Sequence, residues 1–164
     1  MDLIYIGEIV NTHGIKGEVR LISDFKYKGQ VFKQGQKIYV GKRREELKIN
    51  TYRKHKNYDM LTFEGINNIN DVIMYKGDSA YIDRESIEID GYFDEDIIGL
   101  DVYDKKTKIG TVEQILKNKA NDILVVQGEK NKHLIPYLDE YVEEIDLDNK
   151  RINIKVIKGL LNED

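Results

Sequence analysis

Apolar residues recur at every second position in short runs along the front of the chain, and this spacing limits the possible folds most. Val19 and Leu21 alternate with Glu18 and Arg20, and Ile38 and Val40 with Lys37 and Tyr39. Leu47 and Ile49 alternate with Lys48 and Asn50, and Leu61 and Phe63 continue the series. A period of two turns one side of an extended chain inward and the other toward water, as a half-buried antiparallel sheet requires. Polar stretches at Lys33-Gln34-Gly35, Gly41 to Glu46 and His55 to Asp59 separate the runs at close spacing. Many short strands punctuated this way predict a sandwich or a small barrel. One short helix is expected among them. Asn68 serves as its cap, Ile69, Val72 and Ile73 share a face at i, i+3 and i+4, and Lys76-Gly77 stops it. Tyr81 and Ile82 then form a last strand.

The polar segment from Arg84 to Gly91 coincides with a change in charge. Residues 1–84 hold 15 Lys and Arg against 11 Asp and Glu, a net +4, whereas residues 85–164 hold 11 against 19, a net −8. We therefore expect two modules, 1–84 and 92–164, joined by a linker at 85–91. In the second module Gly99 to Tyr103 and Ile109 to Leu116 flank an Asp104-Lys105-Lys106 turn. Ile123 to Val126 is apolar throughout and reads as a central strand covered on both faces. Leu134-Ile135-Pro136 follows, and Ile152, Ile154 and Val156 alternate with Arg151, Asn153 and Lys155. The fold class expected is all-β: two small β-barrels on a short linker, with one short helix in the first.

Composition removes several function classes. The 164 residues include no cysteine, which excludes disulfides, a thiol nucleophile and cysteine-ligated zinc. No run approaches the roughly 20 apolar residues of a membrane helix, and no signal peptide is evident, so a cytoplasmic protein without a membrane partner is expected. The serines, Ser23, Ser79 and Ser86, lie in no nucleophile motif, and there is no phosphate-binding loop or dinucleotide fingerprint. Asp94-Glu95-Asp96 and the Asp139 to Glu144 carboxylates read as solvated surface rather than as a cation site, because consecutive carboxylates splay apart. We expect no enzyme, no cofactor and no metal. Nothing suggests a coiled coil or a dimerising apolar strip, and a monomer is expected.

The densest stretch is Gly7-Glu8-Ile9-Val10-Asn11-Thr12-His13-Gly14-Ile15-Lys16-Gly17-Glu18-Val19-Arg20. Gly14 and Gly17 between two strand-like runs predict a tight reversal, with Ile15 as its apolar pin. Two readings of its polar residues stand side by side: His13 satisfies carbonyls of the turn, or His13, Lys16 and Arg20 offer donors to phosphate. A basic segment from Lys42 to Lys56 carries Lys42, Arg43, Arg44, Lys48, Arg53, Lys54 and Lys56 against Glu45 and Glu46, with Tyr52 and Tyr58 beside its second cluster. Cations at a hairpin tip with stackable rings suit folded RNA, and a solvated turn has the same composition. Tyr92-Phe93 is an aromatic pair just after the linker. On a strand its rings would point to opposite faces, so that one packs inside while the other anchors a partner. Asp94, Glu95 and Asp96 would supply a charged rim, and an acidic module is steered toward basic proteins.

The motif Gly-x-Ile-Val-x-x-His-Gly-Ile-x-Gly-Glu-Val-Arg resembles the opening signature of the bacterial ribosome maturation factor RimM family. Tyr92-Phe93-Asp94-Glu95-Asp96-Ile97-Ile98-Gly99 is similar to the segment that opens that family's C-terminal PRC barrel. Gly110-Thr111-Val112, Asn121-Asp122-Ile123-Leu124-Val125-Val126, Leu134-Ile135-Pro136-Tyr137 and Gly159-Leu160-Leu161 follow in family order, so the resemblance covers nearly the whole chain. It implies a six-stranded N-terminal barrel like those of translation factors and a C-terminal PRC β-barrel. It also implies a non-catalytic factor that binds the immature 30S subunit, assists maturation of the 16S rRNA 3′ (head) domain and contacts small-subunit ribosomal protein nineteen. The family's paired tyrosines at the domain junction matter for the subunit interaction; Tyr92 matches the first, and Phe93 keeps the ring of the second without its hydroxyl. The resemblance thus implies Tyr92 and Phe93 at the protein partner, and Asp94 and Asp96 are expected beside them as the charged rim. His13, Lys16, Arg20, Arg43, Arg44, Arg53 and Lys54 remain candidates for RNA or subunit contact. The alternative is a stand-alone RNA-binding barrel protein of translation.

Overall fold

The computed structural model describes residues 1–155. The chain divides between Asp90 and Gly91 into two compact units. The first contains six strands, β1 (Leu3–His13), β2 (Glu18–Ile22), β3 (Lys37–Val40), β4 (Glu45–His55), β5 (Tyr58–Phe63) and β6 (Ser79–Asp83). They close into an antiparallel barrel in the order β1-β2-β5-β4-β3-β6. The alternating residues fill it: Val19, Leu21, Ile38, Val40, Ile49, Leu61, Phe63 and Ile82 are all buried. Each contributes roughly 1.5–3 kcal/mol by leaving water.

Closure depends on β1, which pairs with β6 through its first half and with β2 through its second. Its register shifts between Tyr5 and Gly7 and again between Ile9 and Asn11. Such bulges bend a strand around a barrel corner. At the corner Gly7 has φ 154°, and a Cβ there would lie 2.5 Å from the Ile22 carbonyl oxygen, so only glycine lets the two backbones approach.

The expected helix after Asn68 takes a different form. Two 3₁₀ turns, Ile69–Asp71 and Ile73–Tyr75, occupy the segment, with the Asn68 side chain accepting from the Asn70 N–H as a cap should. The buried side chains are Val72 and Tyr75, three apart, while Ile73 is exposed. A three-residue turn puts i and i+3 on one face and turns i+4 away. Ile15 also departs from expectation. Its side chain is 76 % exposed, and the loop is pinned instead by its carbonyl, which accepts from the Ile69 N–H at 3.0 Å. A one-turn helix not foreseen from sequence, α1 (Lys28–Val31), covers one end of the barrel with Tyr27, Val31 and Phe32 buried.

The second unit opens on another one-turn helix, α2 (Asp94–Ile97). Its strands are β7 (Asp101–Asp104), β8 (Thr107–Leu116), β9 (Ile123–Gln127), β10 (Lys132–Pro136), β11 (Val142–Asp146) and β12 (Arg151–Ile154). They form one sheet in the order β10-β9-β8-β7-β12-β11. In a flat sheet, five spacings would separate the edge strands by about 24 Å. Yet Ile135 of β10 belongs to the same buried cluster as Val102, Val112, Leu124, Val126, Ile152 and Ile154, and Val142 and Ile145 of β11 pack on it. The sheet is therefore curled around its core as a barrel. Strand β11 has no clean alternation in sequence because its register to β12 shifts between Val142 and Glu144. Leu124, Val125 and Val126 are buried on successive positions of β9, as a strand covered on both faces requires. Val156 and the Gly159-Leu160-Leu161 motif lie outside the described residues. No helix among the described residues is long and apolar enough to cross a membrane.

Candidate nucleic-acid and partner interfaces

Gly14 and Gly17 carry φ of 69° and 94° in the β1–β2 turn, the left-handed backbone that glycine adopts without strain. A Cβ on Gly17 would press on Ile66 and the Asn68 backbone, so this turn sits tightly against the segment leading into the 3₁₀ turns. The reversal returns β2 beside β1 with His13 opposite Glu18. Register then carries the grouping across the barrel wall, with Arg20 opposite Met60 of β5 and Met60 opposite Arg53 of β4. Period two places Glu18 and Arg20, Tyr58 and Met60, and Arg53 and His55 on the outer face. Met60 itself, between two arginines in register, is fully buried.

The polar side chains on this face engage one another. Arg20 donates to His13 Nδ1 from Nη2 at 2.8 Å and from Nε at 3.3 Å, and its guanidinium lies 5.5 Å from the Tyr58 ring centre. Arg53 donates two bonds to Glu18, at 2.9 and 2.8 Å. These bonds hold the Glu18 carboxyl below its ordinary pKa, against a smaller opposing effect of burial. His13 and His55 rings stand 5.7 Å apart. His55 was not singled out by sequence; its only signal was its place in the polar break before Asp59.

The basic segment from Lys42 to Lys56 does not form one hairpin tip. Strand β4 is 11 residues long, about 33 Å from end to end, so Arg43 and Arg44 lie at the opposite end from Arg53 and Lys54. Arg44 is held in place, donating to the Gly41 carbonyl at 2.6 Å with its guanidinium 4.1 Å over Tyr81. Arg43 and Lys16 are exposed. Lys54 turns away from Arg53, as alternation demands, and lies 3.5 Å from Asp59. Asp59 is fully buried, accepting from Lys28 at 2.8 Å and from the Tyr52 hydroxyl at 2.7 Å. The structure thus brings His13, Arg20 and Arg53 together and sends Arg43, Arg44 and Lys54 elsewhere.

In the second unit, Tyr92 and Phe93 precede α2 rather than lying on a strand. Tyr92 is half-buried against the core cluster and Phe93 is 4 % exposed, so the expected opposite-facing pair on a strand does not form. Asp94 pairs with Lys117, which also reaches Asp122 at 3.2 Å. Burial alone would lower the Lys117 pKa, but the bonds and charges of these two carboxylates outweigh it and hold the pKa above the ordinary value. Asp94 and Asp96 both lie in α2.

Comparison with known proteins agrees with this two-unit architecture. The RimM N-terminal domain model matches residues 4–87 and the RimM PRC barrel domain model matches residues 94–160. The chain is 45 % identical over 166 aligned positions to the ribosome maturation factor RimM of Staphylococcus haemolyticus, covering 97 % of this chain and 99 % of that protein. It is 43 % identical to the protein of the same name from Staphylococcus epidermidis, with the same coverage. A crystal structure of a RimM from Pseudomonas aeruginosa aligns with a TM-score of 0.43 and 23 % identity, over 95 % of this chain and 98 % of that one. On the strength of both domain models and of relatives matched along nearly their full length, the chain belongs to the ribosome maturation factor RimM family.

Proposed function

We propose that this chain is a non-catalytic assembly factor that binds the immature 30S subunit and assists maturation of the 16S rRNA head domain by holding small-subunit ribosomal protein nineteen. The observation that carries the reading is the near full-length match to relatives named as ribosome maturation factors. The distribution of charge supports it. The first module, net +4, presents Arg20, Arg53 and two histidines on one outer face, where phosphate supplies affinity and rings supply stacking. The second, net −8, suits a basic protein and repels bare phosphate. Tyr92, Asp94 and Asp96 are the residues we assign to that protein contact, with buried Phe93 supporting them from within. The factor acts through differential affinity, since a partner that bound precursor and mature subunits equally would bias neither. The site of action is the cytoplasm.

Sedimentation of the tagged protein with precursor and mature small subunits tests this reading. Co-sedimentation with precursors and capture of the ribosomal protein is the expected result. Equal binding to mature subunits, or no binding to either, refutes it. Tight binding to naked RNA with a steep salt slope and no ribosomal protein would establish the stand-alone RNA-binding alternative.

A further inference from the structure

The outer face of β1, β2, β5 and β4 is unusual in how its charges balance. His13, Arg20, Arg53 and His55 crowd around one carboxylate, Glu18, with Lys56 in the turn just beyond. Glu18 is occupied by two bonds from Arg53. Arg20 instead donates to an imidazole, and its guanidinium lies near the Tyr58 ring. With Nδ1 of His13 accepting from Arg20, the ring proton of neutral His13 sits on Nε2. Arg20 thus keeps N–H groups beyond those given to His13, held in a fixed plane. His55 faces Arg53, Lys56, His13 and Arg20, and burial followed by these neighbours holds its pKa below the ordinary 6.5. Positive charge has been gathered here with too little negative charge to balance it.

We propose that this cluster is a binding site for a backbone phosphate of RNA, and that His55 takes up a proton as the phosphate docks. The inference rests on the RNA-contacting part of the proposed function only for which molecule carries the phosphate. An anion between Arg20 and the histidine pair supplies the missing negative charge, so the protonated form of His55 becomes the favoured one. Lys16, exposed in the adjoining turn, and Lys56 flank the approach. Linkage is reciprocal: if the anion raises the proton affinity of His55, lower pH raises the affinity for the anion. The gain begins as pH falls from neutrality and levels off once His55 is protonated in the free protein, below 6.5. Each unit by which the anion raises the His55 pKa tightens binding about tenfold between the two limits.

Sulfate, whose charge stays constant across this range, is the probe. The Cε1–H resonances of His13 and His55 in the full chain are titrated from about pH 5 to 8, in sulfate and in chloride at matched ionic strength. The expected result is a His55 pKa higher in sulfate by about one unit, with sulfate bound about tenfold more tightly at the acid end. Arg20→Gln should abolish the difference while the amide spectrum stays dispersed, and Lys33→Gln, an exposed residue outside the cluster, should leave it intact. His55→Gln should still bind sulfate, with a weaker pH dependence. Identical titrations in the two salts, a sulfate response that survives Arg20→Gln, or a pH dependence undiminished by His55→Gln overturns the proposal. Loss of pre-30S binding with the sulfate response intact would fault the proposed function and leave this site standing. Binding to pre-30S with no sulfate response would do the reverse.

Discussion

Removing the Lys28 ammonium should destabilise the first barrel more than removing either of the other two groups that hold Asp59. Asp59 has no exposed surface, and its carboxylate is held by Lys28 at 2.8 Å, Tyr52 at 2.7 Å and Lys54 at 3.5 Å. Taking away one partner of a buried pair leaves a charge without compensation, at a typical cost of about 3–5 kcal/mol. Here the Lys28 side chain is 30 % exposed and Lys54 remains nearby, so screening reduces the expected cost of Lys28→Ala to about 2–3 kcal/mol. Tyr52→Phe removes a neutral donor from a charged acceptor and should cost about 1.5–2 kcal/mol. Lys54, 52 % exposed and at longer range, should cost under about 1 kcal/mol when replaced by alanine. Urea denaturation followed at the amide signals of β4 and β5 would rank the three. If Lys54→Ala equals or exceeds Lys28→Ala, or if Lys28→Ala falls below about 0.5 kcal/mol, the ion pair is not what holds α1 against the barrel, and the reasoning fails.

Further consequences follow from other contacts. Gly110→Ala should unfold or markedly loosen the second unit, because its Cβ would collide with the backbone of Gln127 and Gly128; unchanged melting would refute the close approach. Tyr52 and Tyr75 are both pushed up to about 12, by burial first and then by their bonds to Asp59 and Glu45. The unfolded chain loses these protons near pH 10 while the folded chain keeps them, so stability should be intact below 10 and fall between 10 and 12, with Tyr52→Phe shallowing the fall in a spectrophotometric titration. Arg43→Ala should weaken subunit binding chiefly at low salt, measured by sedimentation at two ionic strengths. Arg44→Ala should instead lower the melting temperature, since Arg44 is held by Gly41 and Tyr81.

Period-two alternation over Val19-Leu21, Ile38-Val40, Leu47-Ile49 and Leu61-Phe63 was enough to indicate which side chains enter the first core. It could do so because side-chain direction in a strand is set by the backbone itself. The all-β class was legible for the same reason, and the family was legible from ordered motifs running from Gly7 to Leu161. The Asn68 cap was legible as well, since capping is a local interaction. The 3₁₀ form of the segment after it was not, because Ile69, Val72 and Ile73 fit a helical face as well as the observed one. The bulge in β11 broke the alternation that would have revealed that strand.

What only the tertiary structure decided is which strands become neighbours. Strand β12 pairs with β7 in parallel, joining residues some fifty positions apart, and no local spacing encodes such a partner. The same holds for the candidate site. His13, Arg20 and His55 lie on three strands, and Arg43 and Arg53, within one basic run, fall at opposite ends of β4 because an extended chain advances about 3.3 Å per residue. Local chemistry determined which residues face outward; barrel closure and register decided which of those charges meet.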